Sequence, residues 1–162
     1  MEGNWSPVIL SVAVFVVGEF LVKLFVEPII ELRRTIGEVR HAVKFYANVY
    51  VNPPLGREAS LAEIERIQVA SNRFRDLAME LDSKHAVILL PNFAGTIGLI
   101  PMPEKIEDAR GELVFLSNAT GRENGLLCDL HARRLLTGLR MATEEDGRCL
   151  KQLEGMKEHL TR

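Results

Sequence analysis

The sequence predicts an all-α protein with a single N-terminal transmembrane helix that continues into a cytoplasmic bundle of about four to five helices. Residues 7–30 are almost entirely apolar, and apolar residues then recur at spacings of three and four along the chain. No stretch of useful length alternates apolar and polar residues with the period of a β-strand. We expect residues 1–30 to form the membrane segment and residues 31–162 the cytoplasmic domain, with residues 31–50 continuing the first helix.

The apolar run is long enough to cross a lipid bilayer. At 1.5 Å per residue, residues 7–30 extend about 36 Å, whereas the hydrocarbon core is about 30 Å thick. A cleaved signal peptide would need a basic stretch first, but the first six residues contain Glu2 and no lysine or arginine. The other alternative, a buried helix of a soluble core, is disfavoured because residues 7–18 carry no charge on any face.

The charges that flank the run predict its orientation. No lysine or arginine precedes the run, and four basic residues follow it: Arg33, Arg34, Arg40 and Lys44. The positive-inside rule therefore places the N-terminus outside and the remaining chain in the cytoplasm, as in a single-pass protein of a bacterial inner membrane. The only two cysteines, Cys128 and Cys149, are compatible with a reducing compartment.

Three charged residues interrupt the apolar run. Glu19, Lys23 and Glu27 follow one another at intervals of four and share one helix face. In one interpretation, Glu19 and Lys23 neutralise each other along a single helix. In the other, several copies of the helix assemble, and the charges face neighbouring subunits or a water-filled pore that carboxylates bias toward cations. We expect a homo-oligomer, because a lone helix in lipid offers Glu19 a single partner.

An apolar stripe on the opposite face predicts that residues 7–50 form nearly one continuous helix packed along a partner. Pro28 is expected to kink this helix at the membrane surface. The stripe comprises Phe15, Gly18, Val22, Phe25, Ile29, Leu32, Ile36, Val39, Val43, Tyr46 and Tyr50.

Further helices are expected in the cytoplasmic domain, after a break at Pro53 and Pro54. For residues 86–102 we expect a short buried helix near residues 91–100, with a segment at the membrane surface as the alternative. Thr143 and Asp146 form a capping-box pattern at the last helix. The other predicted helices are residues 58–81, 103–117, 126–139 and those after 143.

Few residues point to chemistry. The sequence contains no P-loop, dinucleotide fingerprint or HExxH motif, so we expect no cofactor and no metal. The net charge of −2 argues against DNA as a partner. Three arginines form a candidate site for an anion such as a phosphate, with a solvated helix surface as the alternative: Arg122, Arg133 and Arg134.

Arg34 and His41 lie seven positions apart, on one face of the predicted first helix. This Arg…His pair, following an N-terminal span and preceding a helical bundle, resembles small membrane-anchored HEPN-like accessory proteins of RNA-targeting CRISPR systems. The resemblance lies in the order of an N-terminal span and a helical bundle, and it extends over most of the chain. It implies a non-enzymatic membrane pore in antiviral defence, with a partner from the RNA-targeting system. It also leaves a HEPN-like ribonuclease as an alternative, in which Arg34 and His41 would act on RNA. A membrane-tethered module that recruits a cytosolic protein or ligand is a further alternative.

Overall fold

The computed structural model describes residues 6–54 and 58–160, and the side chains of residues 8–54 and 58–155. This described part contains helices and no β-strand, which confirms the all-α prediction. Its elements are α1 (Ser6–Leu21), a π-helical turn (Val22–Val26), α2 (Glu27–Phe45), α3 (Ala47–Val51), α4 (Leu61–Ala86), α5 (Pro91–Thr96), α6 (Pro103–Ala119), α7 (Gly125–Gly138) and α8 (Glu144–Leu160).

The first helix is a rod that is long and apolar enough to span a membrane. It runs for 38 residues, Val8–Phe45, and its most apolar part is not covered by the rest of the described chain. The prediction of one continuous helix is confirmed as far as Phe45. Tyr46 then leaves the helical conformation, with φ −91° and ψ 8°, and α3 adds a short helical piece beyond it.

Pro28 affects the rod one turn before its own position. Because proline has no N–H, the Leu24 carbonyl loses its usual donor, and the proline ring would collide with that carbonyl in a regular helix. The chain instead widens into a π-helical turn, in which the Glu27 N–H donates to the Val22 carbonyl, five residues back. The predicted irregularity is therefore a π turn over Val22–Val26, with Pro28 in the first turn of α2.

The core lies between α2, α4, α6 and α7. The α2 part of the predicted apolar stripe is buried in it, including Leu32 and Val39, which are fully buried. These residues pack on α4 of the same chain, so the partner predicted for this half of the stripe is internal. Burying one such side chain contributes about 1.5–3 kcal/mol. Other fully buried residues are Phe74, Leu77, Leu81, Leu113, Leu116, Cys128 and Leu135.

Helix α4 begins later and ends later than predicted. Ser60 is its N-cap: the Glu63 N–H donates to Ser60 Oγ at 3.3 Å, and the Ser60 N–H donates to Glu63 Oε2 at 2.9 Å. This capping box moves the start to Leu61. At the other end, Lys84 and His85 complement the negative end of the helix dipole, so the helix extends to Ala86.

Ion pairs show that α2 and α4 run antiparallel. Arg73 Nη2 lies 2.8 Å from Glu38 Oε2, and further along α4 Lys84 contacts Glu31, nearer the start of α2. Helix α4 therefore returns toward the apolar part of the rod. We call the region around Glu31, Lys84 and the segment that follows α4 the span-proximal end of the bundle.

The remaining helices alternate between the two ends. At the end opposite to the span-proximal end, Gly125 starts α7 against α3, where any side chain at this position would collide with the Val51 carbonyl. At the span-proximal end, Gly138 closes α7 beside the Lys105 carbonyl. The turn between α7 and α8 is therefore at the same end as the segment between α4 and α6.

Helices α6, α7 and α8 start within one residue of their predicted positions. Pro103 opens α6, and the Leu126 N–H donates to the side chain of the α7 N-cap, Asn124, at 3.0 Å. The predicted capping box of α8 is confirmed, because the Asp146 N–H donates to Thr143 Oγ1 at 3.2 Å and the Thr143 N–H donates to Asp146 Oδ2 at 2.8 Å.

The apolar segment between α4 and α6 differs most from its prediction. Helix α5 covers only Pro91–Thr96, because Gly98 takes φ +80° and the Leu99 N–H turns back to the Ala94 carbonyl. The expectation of a buried helix is wrong for most of its apolar side chains. Ala94 and Ile100 are buried, whereas Phe93 and several neighbours are exposed.

Candidate functional site

The charged stripe lies on the surface of the apolar rod. Lys23 Nζ lies 2.8 Å from Glu19 Oε1, and both side chains are exposed, as is Glu27. Glu19 is about 16 Å along the helix from Val8, near the middle of a bilayer that begins there. Lys23 donates to Glu19 one turn before it, so the contact lies within a single helix.

The π turn changes how the stripe is aligned. In a regular helix, eight residues rotate Glu27 about 80° away from Glu19. The π turn accommodates one extra residue, so Glu27 takes the place around the helix axis that the seventh residue after Glu19 would have in a regular helix. The angle between Glu19 and Glu27 about the axis is then about 20°. The two carboxylates therefore point the same way more closely than the spacing alone predicts.

Arg34 and His41 are both exposed on one face of α2. Glu38 lies between them, and its carboxylate is 3.5 Å from Arg34 Nε and 2.8 Å from Arg73 Nη2. The His41 ring stacks on Phe45, with 5.7 Å between centroids. The structure thus brings the predicted pair to one face, but the carboxylate of Glu38 already binds its arginine.

Arg73 belongs to this cluster, and sequence reasoning missed it. It comes from α4 and joins Glu38, His41 and Phe45 at a small cleft. No local pattern marks Arg73, because its proximity depends on the antiparallel packing of α2 and α4. Together, the residues offer one imidazole and two guanidinium groups, the types of group that can move a proton and hold a phosphate.

The three arginines of the predicted anion site do not act as one basic cluster. Arg133 binds two carboxylates, with Nε 2.9 Å from Asp129 and Nη1 3.2 Å from Asp146. Arg134 binds Glu154 at 3.0 Å. Arg122 is exposed in a different cleft, which also contains Arg75 from α4.

A groove between α6, α7 and α8 was not predicted. It has a cavity volume of about 920 Å³. His131 pairs with Glu112 at its wall and stacks on Phe115, with ring centroids 3.8 Å apart. Its rim carries charged residues of both signs, among them Lys105 and Arg140. No local sequence pattern predicts the pair of Glu112 and His131, because the two residues belong to different helices.

The described part of the chain carries scattered candidate metal ligands and two thiols. It contains no group of three or more histidine, cysteine or acidic side chains that could hold a metal ion. Cys128 is buried, which raises the pKa of its thiol to about 11, and Cys149 is half-buried; both are free. The buried Cys128 thiol therefore lacks the exposure of a reactive cysteine.

Comparisons of the chain with protein-family models, with curated proteins and with solved structures find no match. Its function must therefore be inferred from its own residues.

Proposed function

We propose that this protein is anchored in a membrane by α1 and assembles there with copies of itself, its charged stripe directed toward the centre of the assembly. One observation carries the proposal: Glu19, Lys23 and Glu27 lie exposed on one side of an apolar helix that the rest of the described chain leaves uncovered. The orientation expected from the flanking charges places the bundle in the cytoplasm.

The energetics favour assembly over a lone helix. A charged side chain near the bilayer centre costs about 2.5–3.5 kcal/mol. The contact between Glu19 and Lys23 offsets part of this cost, but both side chains keep a large exposed surface, and Glu27 adds another carboxylate. Neighbouring copies remove that surface from lipid, either by pairing Glu19 with Lys23 of the next helix or by enclosing water.

We further propose that the assembly encloses water and conducts cations. The π turn aligns the carboxylates of Glu19 and Glu27, so a ring of helices would carry two levels of negative charge with Lys23 between them. The bundles would then surround the cytoplasmic mouth. The resemblance to the HEPN-like accessory proteins adds antiviral defence as the proposed context.

Chemical crosslinking of the full-length protein in detergent tests the assembly. We expect a ladder ending at one discrete oligomer, and a strictly monomeric species would disprove the proposal.

Conductance across planar bilayers tests the pore. We expect Glu19→Gln to lower the preference for cations, whereas Phe20→Leu, next to the stripe, leaves it unchanged. A discrete oligomer without conductance would retain the assembly and reject the pore.

A membrane-tethered binding module is the second candidate, and the groove between α6, α7 and α8 favours it. Lys105, Arg134 and Arg140 line it, beside four carboxylates, and could bind a small anionic ligand. Inorganic phosphate or a nucleotide should then raise the unfolding temperature of the full-length protein in detergent. Arg134→Gln should abolish that rise, and Arg148→Gln, on the exposed side of α8, should not. No rise with either ligand would reject this candidate.

The ribonuclease alternative depends on the cluster at Arg34 and His41. Because Glu38 already holds Arg34 and Arg73, we expect the purified protein to leave RNA intact. RNA degradation that His41→Ala abolishes would instead establish a HEPN-like nuclease.

A further inference from the structure

The segment between α4 and α6 exposes an apolar surface with no charge in it. Residues 86–102 contain no acidic or basic side chain over 17 positions. Six large apolar side chains are exposed there, a set we call the apolar patch: Val87, Leu89, Leu90, Phe93, Ile97 and Leu99. Exposed apolar side chains concentrated in so short a segment are uncommon on a soluble domain and mark a contact with a protein or a membrane.

The apolar patch lies at the level where the apolar rod leaves a bilayer. Lys84 contacts Glu31, and α4 runs toward the apolar part of the rod. At 1.5 Å per residue, the end of α4 at Ala86 lies about 3 Å beyond this contact, level with Ile29. The patch begins with the next residue. Ile30, on the rod at the same level, is also exposed.

Basic side chains lie beside the apolar patch. Gly98 belongs to the segment, and Arg140 Nη1 lies about 4.0 Å from the position that a Cβ atom would take on Gly98. Arg140, with φ 58°, lies in the turn between α7 and α8 at the span-proximal end. Lys84 and the exposed Arg33 lie on the same end of the bundle. Apolar side chains bordered by cations are the surface that inserts among lipid headgroups.

We propose that the apolar patch is a second membrane contact, embedded in the interfacial layer beside the transmembrane helix. The inference rests on the proposed membrane insertion of α1 and goes beyond it. The segment holds only the six-residue helix α5, too short to cross the bilayer, so it lies in the surface plane. It fixes the bundle against the membrane at two places, and the bundle cannot tilt freely about the rod.

Three phenylalanines of similar exposure allow a matched test in the full-length protein. Phe15, on α1, is 70% exposed; Phe93, in the patch, is 61% exposed; and Phe45, at the far end of α2, is 67% exposed. Each is changed to tryptophan singly, after Trp5→Phe removes the chain's one natural tryptophan. The three variants are reconstituted in liposomes made with or without lipids brominated near the headgroup, which quench nearby tryptophan. For Phe15→Trp the bromine is placed deep in the acyl chains instead, because Phe15 lies about 10 Å along α1 from Val8.

We expect Phe93→Trp to emit at shorter wavelength than Phe45→Trp and to lose most of its intensity in the brominated vesicles. Phe45→Trp should lose almost none, because it lies roughly 20 Å or more beyond the membrane surface along α2. Ile97→Trp, also in the patch, should repeat the result for Phe93→Trp.

The other outcomes separate the inference from the proposal beneath it. If Phe15→Trp is quenched and both patch variants behave like Phe45→Trp, the second membrane contact is rejected while the anchor stands. If the patch variants emit at short wavelength without quenching, a protein surface covers the patch, which also overturns the inference. If Phe15→Trp itself escapes quenching, α1 is not inserted and both fail.

Discussion

Helix α1 and the bundle carry similar apolar residues, but only the bundle uses them for its own packing. In α1, Val14, Phe15 and Val16 are exposed on successive faces, and in α4, Phe74 and Leu77 are completely buried. The bundle buries these apolar side chains against other helices of the same chain. The rest of the described chain leaves the apolar surface of α1 uncovered.

The charges of the two regions differ in the same way. In the bundle, ion pairs join different helices, as in Arg73 with Glu38 and Arg134 with Glu154. On α1, the pair of Glu19 and Lys23 joins two turns of one helix and fixes no tertiary arrangement. The difference teaches that contacts within the chain hold the bundle helices against one another, whereas no such contact fixes α1 among the described residues.

The largest effect is expected from the bundle core. Leu77→Ala should lower the free energy of unfolding by about 2–5 kcal/mol, because it removes a side chain with 0% exposure and leaves a cavity. Leu61→Ala, on the same helix but 87% exposed, is the matched control and should have little effect. Denaturant unfolding in detergent, followed by circular dichroism, measures both. Equal losses would mean that α4 is not packed as described.

Membrane insertion of α1 should depend on the charge balance of the stripe more than on the size of its side chains. Lys23→Met leaves Glu19 without its partner inside the apolar helix, at a cost of about 2.5–3.5 kcal/mol. We expect less of the protein in the membrane fraction, or a smaller oligomer after crosslinking. Adding Glu19→Gln to Lys23→Met should restore insertion. A double variant as defective as the single one would show that Lys23 acts without Glu19.

The capping box of α4 should contribute a smaller amount. Ser60→Ala removes the oxygen that accepts from the Glu63 N–H and should lower the free energy of unfolding by about 1 kcal/mol. Ser83→Ala, which removes a hydroxyl donating to a carbonyl of its own helix, serves as the control. The same denaturant titrations apply. A loss for Ser83→Ala as large as that for Ser60→Ala would contradict the assignment of the cap.

The smallest effect should come from acid. The Thr143 N–H, followed by its hydroxyl, lowers the pKa of Asp146, so the carboxylate stabilises the fold fully above the ordinary aspartate pKa. That contribution is lost as the pH falls below about 4 and through the lowered pKa. Asp146→Asn should be less stable near neutral pH and show a shallower decline in acid. Parallel pH profiles of the two proteins would contradict this role.

The sequence predicted the elements that depend on local chemistry. The apolar run, the break at Pro53 and Pro54, and the capping box at Thr143 could be found because each is encoded by neighbouring residues. The end of α4 was misjudged, because the apolar period fades before Ala86 although the helix continues along α2.

Candidate sites were harder to predict because they combine distant residues. Arg73 joins the cluster at His41 only through helix packing, and the carboxylates that hold Arg133 and Arg134 could not be foreseen from a count of basic residues. Burial of the segment after α4 was expected from its composition alone. Its exposure depends on how much core the other helices already fill.

The continuity between α1 and α2 has a mechanical consequence. Glu27 hydrogen-bonds directly to Val22, so the two helices meet end to end without a flexible hinge of loop residues. A rotation of α1 about its axis must therefore rotate α2, and with it the bundle, by the same angle. Torque applied to the bundle by a bound molecule would, by the same route, rotate the carboxylates of Glu19 and Glu27 about the axis of the first helix.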